Sequence, residues 1–172
     1  MRARNVLLLA LGVCLILQSS AIYKPPQKPI YFSALAEPLP PISLAGYKPT
    51  TVWEAADAVE YNYGIPKNVL KAMIMWESGG KLTAYNKNKD KSVDQGPMQL
   101  NSKCLMYFAK RYNGGTSIDP CSLDSVRIGG AILADYYRLY GSWRTAIQHY
   151  NYRAKGYTDS VFKCYLKLQG LD

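Results

Sequence analysis

From Thr51 onward the apolar positions fall into a helical pattern. The clearest stripe is Val69, Leu70, Met73 and Ile74. Continued, it reaches Glu77, three positions after Ile74 and four after Met73. The pattern predicts a helix over residues 51–63, capped by Thr50 or Thr51 and closed by Gly64. A second helix follows over 66–77, with Pro66 in its first turn. Residues 81–100 are rich in Asn, Lys, Asp and Gly and read as a loop with a short hairpin. Helices are expected again over 102–112, 120–140, from Ser142 to about Tyr150, and over 158–168, with a turn at Asn113-Gly114-Gly115. The long helix carries Val126, Gly129, Gly130, Leu133, Tyr137 and Tyr140 on one stripe. Each interior glycine costs about 1 kcal/mol against alanine. Close approach of another helix compensates, and the Glu77 helix is the expected neighbour. The domain is mainly α, with no internal repeat.

A carboxylate on a buried stripe is costly. Burial disfavours its charged form, and the negative end of the helix dipole pushes its pKa the same way. A carboxylic acid still protonated near neutral pH is a candidate general acid. The alternative is a Glu whose stem packs while its head reaches water.

The chain opens Met1-Arg2-Ala3-Arg4, runs apolar from Val6 to Leu17, then gives Gln18-Ser19-Ser20-Ala21. This reads as a secretory signal peptide cleaved after Ala21. The apolar run is short for a membrane span; uncleaved, it is a marginal anchor. Removing 21 of 172 residues leaves 151, enough for one domain and short for two. Loss of Arg2 and Arg4 lowers the net charge from +9 to +7. A basic exported protein suits an anionic wall or envelope polymer; no recognised motif supports nucleic acid as a partner. Residues 22–49 hold seven of the ten prolines and form an extended arm or linker, or a recognition segment, ahead of a domain over 50–172. The lysines from Lys81 to Lys91 form a solvated loop or help bind the wall.

Cys104, Cys121 and Cys164 remain after processing, and export permits a disulfide. Three cysteines allow one pair and leave one over; Cys104–Cys121 closes a short loop and is the expected pair. With one histidine and no second ligand cluster, no metal site is expected, and no cofactor.

Three motifs follow one another in order: Glu77-Ser78, Gly96-Pro97-Met98-Gln99, and Ala146 with Tyr150-Asn151. On these the chain resembles the lysozyme-like lytic transglycosylases, whose signatures are Glu-Ser, Gly-Leu-Met-Gln and Ala-x-x-x-Tyr-Asn. Tyr157 and Val161 match a later tyrosine–valine pair. The resemblance covers roughly residues 53–167, and within the family it is nearest to small enzymes that accompany secretion, pilus and conjugation machines. It implies a lysozyme-like α+β fold with a catalytic helix and a hairpin region. It also implies a monomeric periplasmic enzyme acting on peptidoglycan glycan strands. In the reaction so implied, Glu77 protonates the glycosidic oxygen between N-acetylmuramic acid and N-acetylglucosamine. It then acts as base on the muramoyl 6-hydroxyl, giving a 1,6-anhydro product.

The stretch from Asn88 to Ser102 also looks like animal-type lysozymes, matching Asn-x-Asp-x-Ser-x-Asp-x-Gly-x-x-Gln-x-Asn-Ser. Asp94 falls on their second catalytic aspartate, seventeen residues after Glu77, and Cys104 on a disulfide cysteine. Two carboxyl groups about 5 Å apart permit retaining hydrolysis; the alternative for Asp94 is a turn residue beside Gly96. By family position, Ser78, Met98, Gln99, Tyr150, Asn151 and Tyr157 are expected at the substrate. Their structural alternatives are a helix-end hydroxyl for Ser78, core for Met98, a loop amide for Gln99, a buried phenol for Tyr150 and loop support for Asn151. His149 matches no motif position and reads as structural. Two departures stand near the cleft: Tyr152-Arg153 where the family has Ala-Gly, and Pro97 where it has leucine. The competing readings are therefore a transglycosylase, a hydrolytic muramidase using Glu77 and Asp94, and a non-catalytic wall-binding assembly factor.

Overall fold

The structure, a computed structural model, describes residues 48–152 and 154–171. The expected signal peptide and the proline-rich arm up to residue 47 lie outside the described residues.

Helix α1 spans Val52–Tyr63. Thr51 caps it by accepting the Glu54 N–H at 3.2 Å, while the Glu54 carboxylate takes the Thr50 N–H at 2.8 Å. Helix α2, Val69–Ser78, carries the predicted stripe, with Leu70, Met73 and Ile74 fully buried. It starts later than predicted. Pro66 to Asn68 form a turn closed by the Val69 N–H on the Pro66 carbonyl, and Asn68 takes a left-handed φ of 70°.

The polar stretch holds a three-stranded antiparallel sheet: β1 (Tyr85–Lys87), β2 (Val93–Gln95) and β3 (Leu100–Asn101). The hairpin pairs Asn86 with Asp94, and β3 sets Asn101 opposite Asp94. Helix α3 runs Leu105–Tyr112; its predicted first turn is taken up by Ser102, whose N–H extends the sheet to the Val93 carbonyl. Helix α4, Asp124–Tyr140, begins after a turn in which Asp119 holds the Cys121 N–H and the Ser122 hydroxyl. Helices α5 (Trp143–Tyr150, capped by Ser142) and α6 (Tyr157–Leu168) complete the order. The architecture is mainly helical with a small sheet, as the lysozyme-like reading expects.

Helix α4 is the central element, with Val126, Ile128, Ala131 and Leu133 fully buried. Its glycine pair admits close neighbours, but not the expected one. A Cβ at Gly130 would run into Val59 of α1, and one at Gly129 would stand 2.6 Å from Met98. The Glu77 helix reaches this site through Leu70, while α2 packs chiefly along α6 and α1. The fully buried Asp135 binds α3 to α4 by accepting from Arg111 at 2.9 Å and from the Tyr112 hydroxyl at 2.8 Å.

Among the described residues no helix is long and apolar enough to cross a membrane, and no group of three or more His, Cys, Asp or Glu could hold a metal ion. The expected Cys104–Cys121 bridge is not formed. Cys104 packs against the core just ahead of α3, whereas Cys121 is held in the Asp119 turn.

Candidate active site

Glu77 stands in the last turn of α2, which Gly79 ends by giving its N–H to the Met75 carbonyl. Its side chain continues the buried stripe and is only partly accessible, while the neighbouring Trp76 is 51% exposed. Tyr157, the first residue of α6, is buried and donates its hydroxyl to Glu77 Oε1 at 2.6 Å. Burial pushes the Glu77 carboxyl up to about 7. The Tyr157 hydrogen bond pulls it down and the charge of Asp94 pushes it further up. The phenols of Tyr150 and Tyr157 are held well above their usual range, first by burial and then by the Glu77 charge. Both therefore remain hydrogen-bond donors at any physiological pH.

Asp94 lies on the central strand β2. Its Oδ2 accepts from Asn88 at 2.8 Å and its Oδ1 from the cross-strand Asn101 at 2.7 Å. Ser92 braces both amides, accepting at 3.1 and 3.0 Å, and donates onward to Asp90. The two neutral amides fix the orientation of the carboxylate. Asp94 is thus a residue of the sheet, its carboxylate held by Asn88 and Asn101.

The loop from Gly96 to Gln99 joins the two walls. Gly96 has φ 76°, and a Cβ there would collide with the Pro120 carbonyl, so only glycine fits. Met98 is fully buried against Gly129, which corrects its expected place at the substrate: the close approach at the glycine pair draws its side chain inward. Its carbonyl accepts the Tyr150 hydroxyl at 2.9 Å, which ties this loop to the end of α5. Ser78 is likewise turned to the scaffold. Its hydroxyl is shared between the Ile74 and Pro97 carbonyls at 3.1 and 3.0 Å and accepts the Gly80 N–H, tying the end of α2 to the loop. Gln99 has a positive φ of 48° and spends its amide nitrogen on the Gly96 carbonyl at 2.9 Å. Asn151 ends α5 and accepts the Ala154 N–H, in keeping with loop support. His149 stacks on Tyr140 at 4.1 Å, and burial lowers its pKa.

The structure therefore brings Glu77, Asp94, Tyr150, Tyr157 and the 96–99 loop together, while Ser78, Met98 and the Tyr150 hydroxyl hold the frame. Glu60 was missed by sequence reasoning. It is 3% exposed on α1, and its carboxylate accepts the N–H groups of Asn68, Leu70 and Lys71 at 2.8, 2.8 and 3.2 Å. It caps α2 in place of Asn68, whose side chain makes no cap. The available signal was the one that exposed Glu77: a carboxylate four positions after Ala56, on a buried stripe.

The transglycosylase SLT domain family matches residues 54–158, a span that holds every residue of this cluster. Invasion protein IagB of Salmonella typhimurium is 32% identical over 123 residues, covering 65% of this chain and 75% of the relative. IagB of Salmonella typhi is 33% identical over 111 residues, covering 63% and 68%. Protein IpgF of Shigella flexneri is 30% identical over 127 residues, covering 65% and 79%.

Proposed function

This chain belongs to the transglycosylase SLT domain family, and from that premise we propose that it cleaves peptidoglycan between N-acetylmuramic acid and N-acetylglucosamine with Glu77 as acid and then base. Tyr157 engages Oε1, which leaves the proton for Oε2. That proton passes to the glycosidic oxygen as its bond to the muramoyl anomeric carbon breaks. The resulting carboxylate removes the proton of the muramoyl 6-hydroxyl, whose oxygen bonds to the same carbon. The 1,6-anhydro ring closes without water, and Glu77 regains its starting form. A group that both gives and takes a proton works best with a pKa near the working pH.

The observation that carries this reading is the Glu77 carboxyl, raised to about 7 by burial beside the Tyr157 hydroxyl. The test is digestion of purified peptidoglycan by the protein and by Glu77→Gln. Loss of soluble muropeptides with the variant supports it; equal release by both proteins removes Glu77 from catalysis. Binding without release by the unaltered protein would favour a wall-binding assembly factor.

A second reading is favoured by one observation: Asp94, oriented by Asn88 and Asn101, lies close enough to Glu77 to raise its pKa. Such a pair suits retaining hydrolysis, with Asp94 stabilising or attacking the anomeric carbon. Product mass separates the two, since anhydro products are one water lighter and have no reducing end.

The apolar leader and the small residues before Ile22 support export to the periplasm, with residues 22–49 as an arm and 50–172 as the wall-cleaving domain. Two relatives carry the printed name of invasion protein, which supports local opening of the wall for an envelope-spanning machine. N-terminal sequencing of the exported protein should begin at Ile22; retention of Met1 would make the leader an anchor.

A further inference from the structure

An open groove lies on the seam between α2 and α6, away from the cleft. Glu77 and Tyr157 meet where α2 ends and α6 begins. Further along the same two helices, Ala72 and Val161, with Ile147 of α5, form the buried floor of a groove of about 380 Å³. Trp143, Phe162 and Tyr165 are its partly accessible walls. Trp143 is braced by stacking on Tyr137 at 4.0 Å, and Phe162 lies nearly parallel to Tyr165 at 6.2 Å. Of the described residues that line the groove, Arg144 alone is charged, and Asp159 answers it at 3.2 Å. The surface is apolar, aromatic and close to neutral.

We propose that this groove holds residues 30–36 of the chain's own N-terminal arm. That run, Ile30-Tyr31-Phe32-Ser33-Ala34-Leu35-Ala36, carries no charge and stands between Pro29 and Glu37-Pro38. Aromatic-lined grooves suit segments bracketed by proline, because proline has little conformational freedom left to lose on docking. Reach decides which part of the arm fits. The start of α1 lies by the end of α2, where the Trp53 ring rests against Gly80. The far end of α1 holds the start of α2 through Glu60. Lys48 and the groove are therefore about one length of α1 apart, roughly 18 Å for its twelve residues. Ala36 stands twelve residues before Lys48, enough to span up to about 40 Å. Leu44, in the nearer apolar stretch, stands four residues before Lys48 and reaches only about 13 Å. Tethering holds the run at a local concentration on the order of 1 mM, so an affinity of about 0.1 mM keeps the groove about tenfold more often filled than empty. A separate protein or a second copy lacks that advantage. Since α2, α5 and α6 carry Glu77, Tyr150 and Tyr157, the docked run straps together the elements that form the cleft. The docking is independent of the reaction proposed for Glu77.

The test uses the exported protein with the photoreactive residue p-benzoylphenylalanine in place of Phe32. Illumination should join position 32 to residues 143–147 or 158–165 of the same chain, in a product of monomer mass. The same label in place of Tyr23 should give no such product, and Phe162→Ser should lose it. The arm variants Phe32→Ser and Leu35→Ser leave the folded domain unaltered, so they stand free of any folding defect in the groove variant. In each, hydrogen exchange of the amides over 143–147 and 158–165 should quicken by up to about tenfold, with α1 unchanged. Capture that is equal from position 23, or that lands on another face, overturns the proposal. A crosslink between chains overturns it in favour of a second copy. Unchanged exchange in both arm variants overturns it and leaves the groove to a separate protein.

Discussion

The hydroxyl of Tyr157 donates to Glu77 Oε1 across 2.6 Å, joining two residues eighty positions apart. This bond stabilises the charged carboxylate, so it works against the burial that keeps Glu77 protonated. Tyr157→Phe should therefore raise the Glu77 pKa above about 7. A hydrogen bond to a charged group contributes about 1.5–3 kcal/mol, equivalent to one or two pH units. The basic limb of a kcat/KM profile should move upward by about that much, and kcat at neutral pH should fall because the weaker acid gives its proton to the glycosidic oxygen less readily. An unmoved basic limb would mean that this limb belongs to another group.

Glu77 also makes stability depend on pH. Its folded pKa is about 7 against an ordinary 4.5, so the folded state holds its proton more tightly than the unfolded chain. The contribution is fully present below pH 4.5 and is lost as pH rises through 7. The loss amounts to roughly 3 kcal/mol. Glu77→Gln cannot ionise and escapes it. Denaturant unfolding should find the variant more stable than the parent at pH 8, with the gap closing below pH 4.5.

Asp94→Asn tests the second carboxylate. Its charge raises the Glu77 pKa, so removing it should shift the basic limb of activity downward. Under the transglycosylase reading the products stay one water lighter and the rate falls by no more than about tenfold, a modest electrostatic effect. Under the hydrolytic reading the rate collapses by about a thousandfold or more. Mass spectrometry of digests from both proteins decides.

The sequence made Glu77 visible because a carboxylate in an apolar stripe is a local signal, and the helix around it obeys one period. Gly96 and Gln99 were legible as a motif, but a motif carries no direction. Ser78 and Met98 proved to point into the frame because Pro97 and Gly129 lie on segments distant in the chain. Gly129 and Gly130 announced a close approach without naming the neighbour, since a missing side chain admits whatever reaches it first. The late starts of α2 and α4 follow from turns closed by Pro66 and Asp119. Turn bonds of this kind compete with the first helical turn and leave the apolar period unchanged.

Glu60 shows how far the catalytic helix depends on a neighbour. Helix α2 has no side-chain cap of its own, and the three N–H groups at its start converge on one buried carboxylate. Glu60→Ala would leave those donors without an acceptor, at about 1–3 kcal/mol for each one buried. A total near 3 kcal/mol or more is a large share of the 5–15 kcal/mol typical of a domain. Glu60→Gln keeps the shape and one acceptor oxygen, but turns an amide N–H toward backbone N–H groups, so it should recover only part of the loss. Thermal unfolding should rank the parent first, then Glu60→Gln, then Glu60→Ala. Hydrogen exchange should locate the extra opening at Asn68, Leu70 and Lys71. Unchanged protection of those three amides in Glu60→Ala would mean that the start of α2 is held by something other than this carboxylate.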